Sequence, residues 1–156
     1  MTDARDAAAN ETAAPSTARM AIAVLALIGL FDAAYLSLYK LGFIGGLTCT
    51  VGSCQQVQNS PQSAILGIPV SVLGLGAYVA ILALALAGLH RPGDRRIAQG
   101  IALVSGVGVL FSAYLTYVEA FVIYMWCQYC VISAILITLI FLLSLPGLRR
   151  ARTGAA

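Results

Sequence analysis

Four stretches of this chain are too long and too apolar to belong to a soluble fold. They are residues 20–41 (MAIAVLALIGLFDAAYLSLYKL), 67–89 (GIPVSVLGLGAYVAILALALAGL), 97–121 (IAQGIALVSGVGVLFSAYLTYVEAF) and 125–145 (MWCQYCVISAILITLIFLLSL). A bilayer is crossed by about 20 apolar residues, and each run reaches that length. Inside lipid a segment must satisfy its own backbone hydrogen bonds. Continuous apolar runs without alternation do so as helices, so strands are not expected. Composition agrees, with 60% hydrophobic residues against 10% charged, where a soluble domain would be about a quarter charged. The fold class read from this is an all-α integral membrane protein, a bundle of four transmembrane helices.

Residues 1–18 are rich in Ala, Thr, Asp and Asn without apolar periodicity, and read as a disordered tail. Residues 19–148 form the membrane domain, and 149–156 a short basic tail. A cleaved signal peptide around DAA is the alternative for the first run, which is longer than the usual apolar region of about 7–15 residues.

The net charge of +3 and pI near 8.8 come from basic residues placed beside the apolar runs. Such placement speaks of membrane topology and not of nucleic-acid binding. Arg5 and Arg19 precede the first run. Arg91, Arg95 and Arg96 join the second to the third, and Arg149, Arg150 and Arg152 follow the fourth. The other two connections hold only Lys40 and Glu119. The positive-inside rule then puts both termini in the cytoplasm.

All four cysteines fall on the opposite, outward side: Cys49 and Cys54 in the first connection, Cys127 and Cys130 at the start of the fourth run. That is the side where disulfides form and persist. Cys127 and Cys130 are spaced to share one face of a helix. Free amides at a helix start stabilise a thiolate and favour thiol exchange. A loop pair beside a helix pair is the minimum for an electron relay. A closed zinc site of four thiolates and two inert structural disulfides are the bland alternatives. The single histidine, His90, lies at the other membrane face.

The segment SCQQVQNS reads as a turn or two of helix with Val57 facing the membrane, ended by Pro61. Pro69 suits the first turn of the second span. This short helix would cap a pocket between the spans, with Ser60 at its edge; on physics alone Ser60 is first a turn serine before proline. LFDAAYLSLYKL and LFSAYLTYVEAF repeat faintly, so each half is a helix out, a cysteine pair and a helix back. Small residues such as Gly29, Gly74 and Gly108 permit close helix contact. Asp32 is an ionisable group at membrane depth, with a structural hydrogen bond or a proton relay as its two readings. Tyr124 and Trp126 read as an interface belt.

The order of these elements resembles the vitamin K epoxide reductase family over about residues 20–145. The resemblance rests on the pair Cys49/Cys54, on NSPQSAILGIPVSVLG with its glycine-led entry Gly67-Ile68-Pro69, and on YLTYVEAFVIYMWCQYCVIS. It implies a bundle around a quinone (menaquinone, ubiquinone or phylloquinone), closed on the outer side by the loop and short helix, with no metal. It implies that Cys130 is nearest the quinone, that Cys127 exchanges with Cys54, and that Cys49 engages a soluble partner. It also implies that Ser60 hydrogen-bonds a quinone carbonyl. The animal enzymes carry a tyrosine four residues after the last cysteine; Ala134 stands there, which favours a bacterial-type quinone reductase of the cytoplasmic membrane. No thioredoxin-like domain follows RRARTGAA, so a separate thioredoxin-like (DsbA-like) partner is expected. The runners-up are a DsbB-type quinone-coupled oxidase, whose two pairs come in the opposite order, and a four-thiolate metal-binding membrane protein.

Overall fold

The computed structural model describes residues 2–153, with side chains over 17–149. Five α-helices follow in order: α1 (Thr2–Lys40), α2 (Cys54–Gln58), α3 (Val70–His90), α4 (Arg95–Val118) and α5 (Gln128–Thr153). Four stretches are long and apolar enough to cross a membrane: Thr17–Lys40, Val70–His90, Arg95–Ile123 and Gln128–Arg149, with mean hydropathy from 1.9 to 2.5. The four-helix membrane bundle is the architecture expected from the apolar runs.

α1 packs chiefly on α3, and α4 on α5, with α1–α5 and α3–α4 contacts closing the bundle. Ile22, Ala26, Ile81, Ala85, Ile101 and Ile140 form its core. Phe31, Leu103 and Leu110 stand outward, each more than two-thirds exposed, as lipid-facing side chains must. Two glycines let helices meet: a Cβ on Gly29 would enter the Tyr78 ring, and one on Gly108 would lie 2.7 Å from Ile137 Cγ1.

The element boundaries depart from the sequence reading in five places. α1 begins at Thr2 and so takes in residues 2–18, where a disordered tail is expected; alanine-rich sequence has high helix propensity. Gly67–Pro69 does not open the second span. Ala64–Ile65 (β1) pairs antiparallel with Ile68–Pro69 (β2) around Leu66 and Gly67, both at positive φ. That is the primed turn a two-residue hairpin needs, and it gives the described residues one small strand pair among the helices. Pro69 is therefore the N-cap of α3 rather than part of its first turn. Pro61 opens a 3₁₀ turn, Pro61–Ser63. The fifth departure concerns the third span, which runs past Phe121, the end of the apolar run in the sequence reading. It continues as a π turn, Glu119–Ile123, and ends on Tyr124 in the left-handed region. One end of the bundle thus gathers residues 41–69 and 124–127, and the other holds the 91–94 turn.

Candidate functional site

The four cysteines meet at one end of the bundle. Cys49 and Cys54 are joined in a disulfide with their Cα atoms 6.2 Å apart, inside the usual disulfide range. Cys127 and Cys130 are free thiols. Cys54 opens α2, the short helix expected in SCQQVQNS, and is 1% exposed; Cys127 is fully buried. Both belong to one cluster with Leu36, Leu47 and Val57. Cys49 is the half-buried member of its pair.

Backbone contacts fix this meeting. Gly52 and Cys127 form an antiparallel bridge, and Ser53 N donates to Trp126 O at 3.0 Å. A side chain at Gly52 would run into the Trp126 carbonyl, and its φ is +84°, a conformation glycine takes without penalty. The two residues between the helix cysteines hold the same loop. Gln128 Oε1 accepts from Thr50 N and Val51 N, each at 3.1 Å. Tyr129 OH donates to Thr48 O at 2.7 Å, and Thr48 N donates to Tyr35 OH at 3.2 Å. Lys40 Nζ donates to Gln58 O and to Ser63 Oγ, tying α2 to the end of α1.

Cys127 lies just before α5 and Cys130 in its first turn, so the helix starts later than residue 125. A hydrogen bond from the Cys130 side chain holds the Cys127 thiol below the ordinary cysteine range, against the opposing effect of burial. Glu119, read from sequence as part of a connection, is only 2% exposed. Its Oε2 accepts from Cys127 N at 3.1 Å. No local pattern announces this, because a lone glutamate after an apolar run reads equally well as a turn.

Beneath the cysteines, α1, α3, α4 and α5 enclose a cavity of about 300 Å³ whose lining is mostly apolar. Its size lies at the lower end of those that take small organic ligands. The polar groups on its wall are Asp32, Gln58, Ser71, Tyr78, Ser133 and Cys130, with Thr116 and Ser112 further along α4. Tyr78 OH is engaged with Ser133, and Gln58 Nε2 lies 3.9 Å from Cys130 Sγ. Asp32 Oδ2 and Ser71 Oγ are buried with no hydrogen-bond partner. Buried polar atoms left without partners are rare, and two on one cavity wall suit a ligand with polar oxygens on an apolar body. Asp32 therefore lies on the cavity wall rather than in a side-chain hydrogen bond across the bundle.

Ser60 is not on this wall. It borders a smaller side pocket that Gln58, Val70, Leu115 and Cys130 share with the cavity. Its hydroxyl donates to Val57 O at 2.7 Å, as a turn serine does. Gln58, which the sequence reading passed over, occupies the cavity wall instead. The four sulfurs are two disulfide-bonded atoms, of Cys49 and Cys54, and two thiols, of Cys127 and Cys130. Among the described residues no group of three or more His, Cys, Asp or Glu side chains is arranged to hold a metal.

The sequence profile of the Vitamin K epoxide reductase family matches residues 20–145 of this chain. The matched stretch holds all four membrane helices over their apolar lengths, both cysteine pairs and every cavity residue named above. This four-helix membrane protein belongs to the vitamin K epoxide reductase family, whose members couple membrane quinones to disulfide chemistry.

Proposed function

We propose that the chain is a thiol:quinone oxidoreductase that oxidises a thioredoxin-like dithiol outside the cytoplasmic membrane of a bacterium. The observation that carries this reading is the placement of the helix pair: Cys127 is buried in the cluster that holds Cys54, Cys130 packs against that cluster, and of the two only Cys130 lines the apolar cavity. One turn of helix thus touches the loop disulfide on one side and the candidate quinone site on the other.

In this relay the half-buried Cys49 is the sulfur that a soluble dithiol attacks first. The reduced loop then transfers its electron pair by attack of Cys54 on Cys127 in a Cys127–Cys130 disulfide. Cys130 then faces the cavity as a reductant. A quinone there would supply two-electron acceptor chemistry. Ser71 and Gln58 are the groups placed to donate to its oxygens, and Asp32 joins them only as the protonated carboxyl, the form that has a proton to give. Ser60 reaches it only from the side pocket, by giving up its bond to Val57 O.

The clustering of Arg91, Arg95 and Arg96 at the end opposite the cysteines supports a cytoplasmic location for that end. An impermeant thiol reagent applied to intact cells after mild reduction should then label the loop pair; labelling that needs cytoplasmic access would refute the orientation. The activity is tested with purified protein, a reduced thioredoxin-like carrier and a panel of menaquinone, ubiquinone and phylloquinone analogues. Carrier-dependent loss of quinone absorbance is expected. A protein that oxidises no carrier with any quinone would overturn the reading.

A further inference from the structure

Oxidising a dithiol requires that its protons be removed, and the cysteine end of the bundle holds a carboxylate with no other evident task. Glu119 is almost fully buried. The Cys127 amide donates to it and the Cys130 thiol lies against it, and among the described residues no cation acts on it. A buried carboxylate without a counter-ion is costly, and within a membrane span such a group marks function. The backbone that carries it is a π turn, an irregularity that recurs at functional sites. Glu119 and Cys130 also line the same side pocket.

We propose that Glu119 is the base that takes the Cys130 proton when the Cys127–Cys130 dithiol is oxidised. This rests on the redox reading of that pair given above. Cys127 gives up its own proton to water at the cysteine end before the step. In the step the S–H bond of Cys130 breaks, its proton passes to the Glu119 carboxylate, and one S–S bond forms. The electron pair leaves on the acceptor, a quinone in the reading above. Two protons must then reach that acceptor; the Glu119 carboxyl hands on one, and water at the cysteine end supplies the other. The bond from Cys127 N to Glu119 Oε2 aims the carboxylate at this turn of helix.

Glu119→Gln separates a base from a mere hydrogen-bond acceptor. The amide oxygen of glutamine still accepts from Cys127 N but takes up no proton. The test uses full-length protein carrying Cys49→Ala and Cys54→Ala, so that one dithiol remains, fully reduced, in single-turnover mixing. One arm uses a short-chain quinone, followed by its absorbance. The other uses diamide without quinone, followed by disulfide formation in quenched samples. General bases contribute about 10²–10⁴ in rate, so Glu119→Gln should slow both arms by about 100-fold or more. Unchanged rates would overturn the proposal, as would slowing in the quinone arm alone, since that would place Glu119 on the quinone and not on the thiol. A silent quinone arm with a slowed diamide arm would leave the base in place and refute the quinone reading instead. Should Glu119→Gln not fold, heavy water decides with the parent protein: slower diamide oxidation supports proton transfer from Cys130, and an equal rate overturns it.

Discussion

Gln128 accepts two hydrogen bonds from Thr50, from its amide at 3.1 Å and from its hydroxyl at 2.8 Å. A residue whose position in Cys-x-x-Cys looks like spacing therefore holds the loop that carries the other cysteine pair. Val51 N adds a third bond to the same oxygen. Gln128→Ala removes all three, each worth about 0.5–1.5 kcal/mol and toward the low end at an exposed site. Electron transfer from a reduced loop to the Cys127–Cys130 disulfide should slow by roughly tenfold, which corresponds to about 1.4 kcal/mol. Stopped-flow fluorescence of Trp126 follows this step. Oxidation of the helix pair by quinone should keep its rate.

Gly52 and Gly42 offer a matched comparison. Both sit at positive φ, +84° and +82°, but only Gly52 has a neighbour, the Trp126 carbonyl, where a Cβ would go. Gly42→Ala should cost about 1 kcal/mol of conformational strain. Gly52→Ala adds the collision and breaks the bridge to Cys127, so its cost should exceed that of Gly42→Ala by at least about 1 kcal/mol. Thermal midpoints of the two variants in the same detergent measure the difference. Equal shifts would mean that the loop does not rest on Trp126.

Asp32 presents an unpartnered oxygen to the cavity. Replacing a buried, unsatisfied polar group by an apolar one of similar shape is neutral or stabilising. Asp32→Leu should therefore hold or raise the thermal midpoint while raising the KM for quinone by about tenfold, the signature of a residue kept for binding at the expense of stability. A falling midpoint with unchanged KM would assign Asp32 to the fold alone.

Gln58, for which the sequence suggested no role, lines the cavity, whereas Ser60 lines only the side pocket. Ser60→Ala loses the bond to Val57 O, so stability should fall by about 1 kcal/mol. Quinone reduction per folded molecule should change less than in Gln58→Ala, which removes a cavity group beside Cys130 and should slow it by about tenfold. Single-turnover rates of both variants, with midpoints, decide the order. A larger kinetic loss in Ser60→Ala would return the quinone contact to Ser60.

Much of this architecture was legible because hydropathy is a local property. Four runs of membrane length, and the short helix that opens at Cys54, need no knowledge of neighbours. The cysteine positions were legible for the same reason. What escaped is set by tertiary contact. QQVQ holds three similar amides, and only the packing of α2 decides that Gln58 faces the cavity. Glu119 looks like a loop residue until the π turn swings it under Cys127. Residues 64–69 form a hairpin because Leu66 and Gly67 adopt positive φ, which an apolar Ile-Leu-Gly-Ile string hides.

The central claim is that electrons leave the protein through Cys130 after crossing from the loop pair. Single-turnover counting of quinone tests it most directly. The chain has four cysteines, so fully reduced protein mixed with excess quinone should reduce two quinones per molecule. Removing the loop pair with Cys49→Ala and Cys54→Ala should leave one. Cys130→Ala should leave none, although the loop pair can still be reduced. Undiminished quinone reduction in Cys130→Ala would contradict the account.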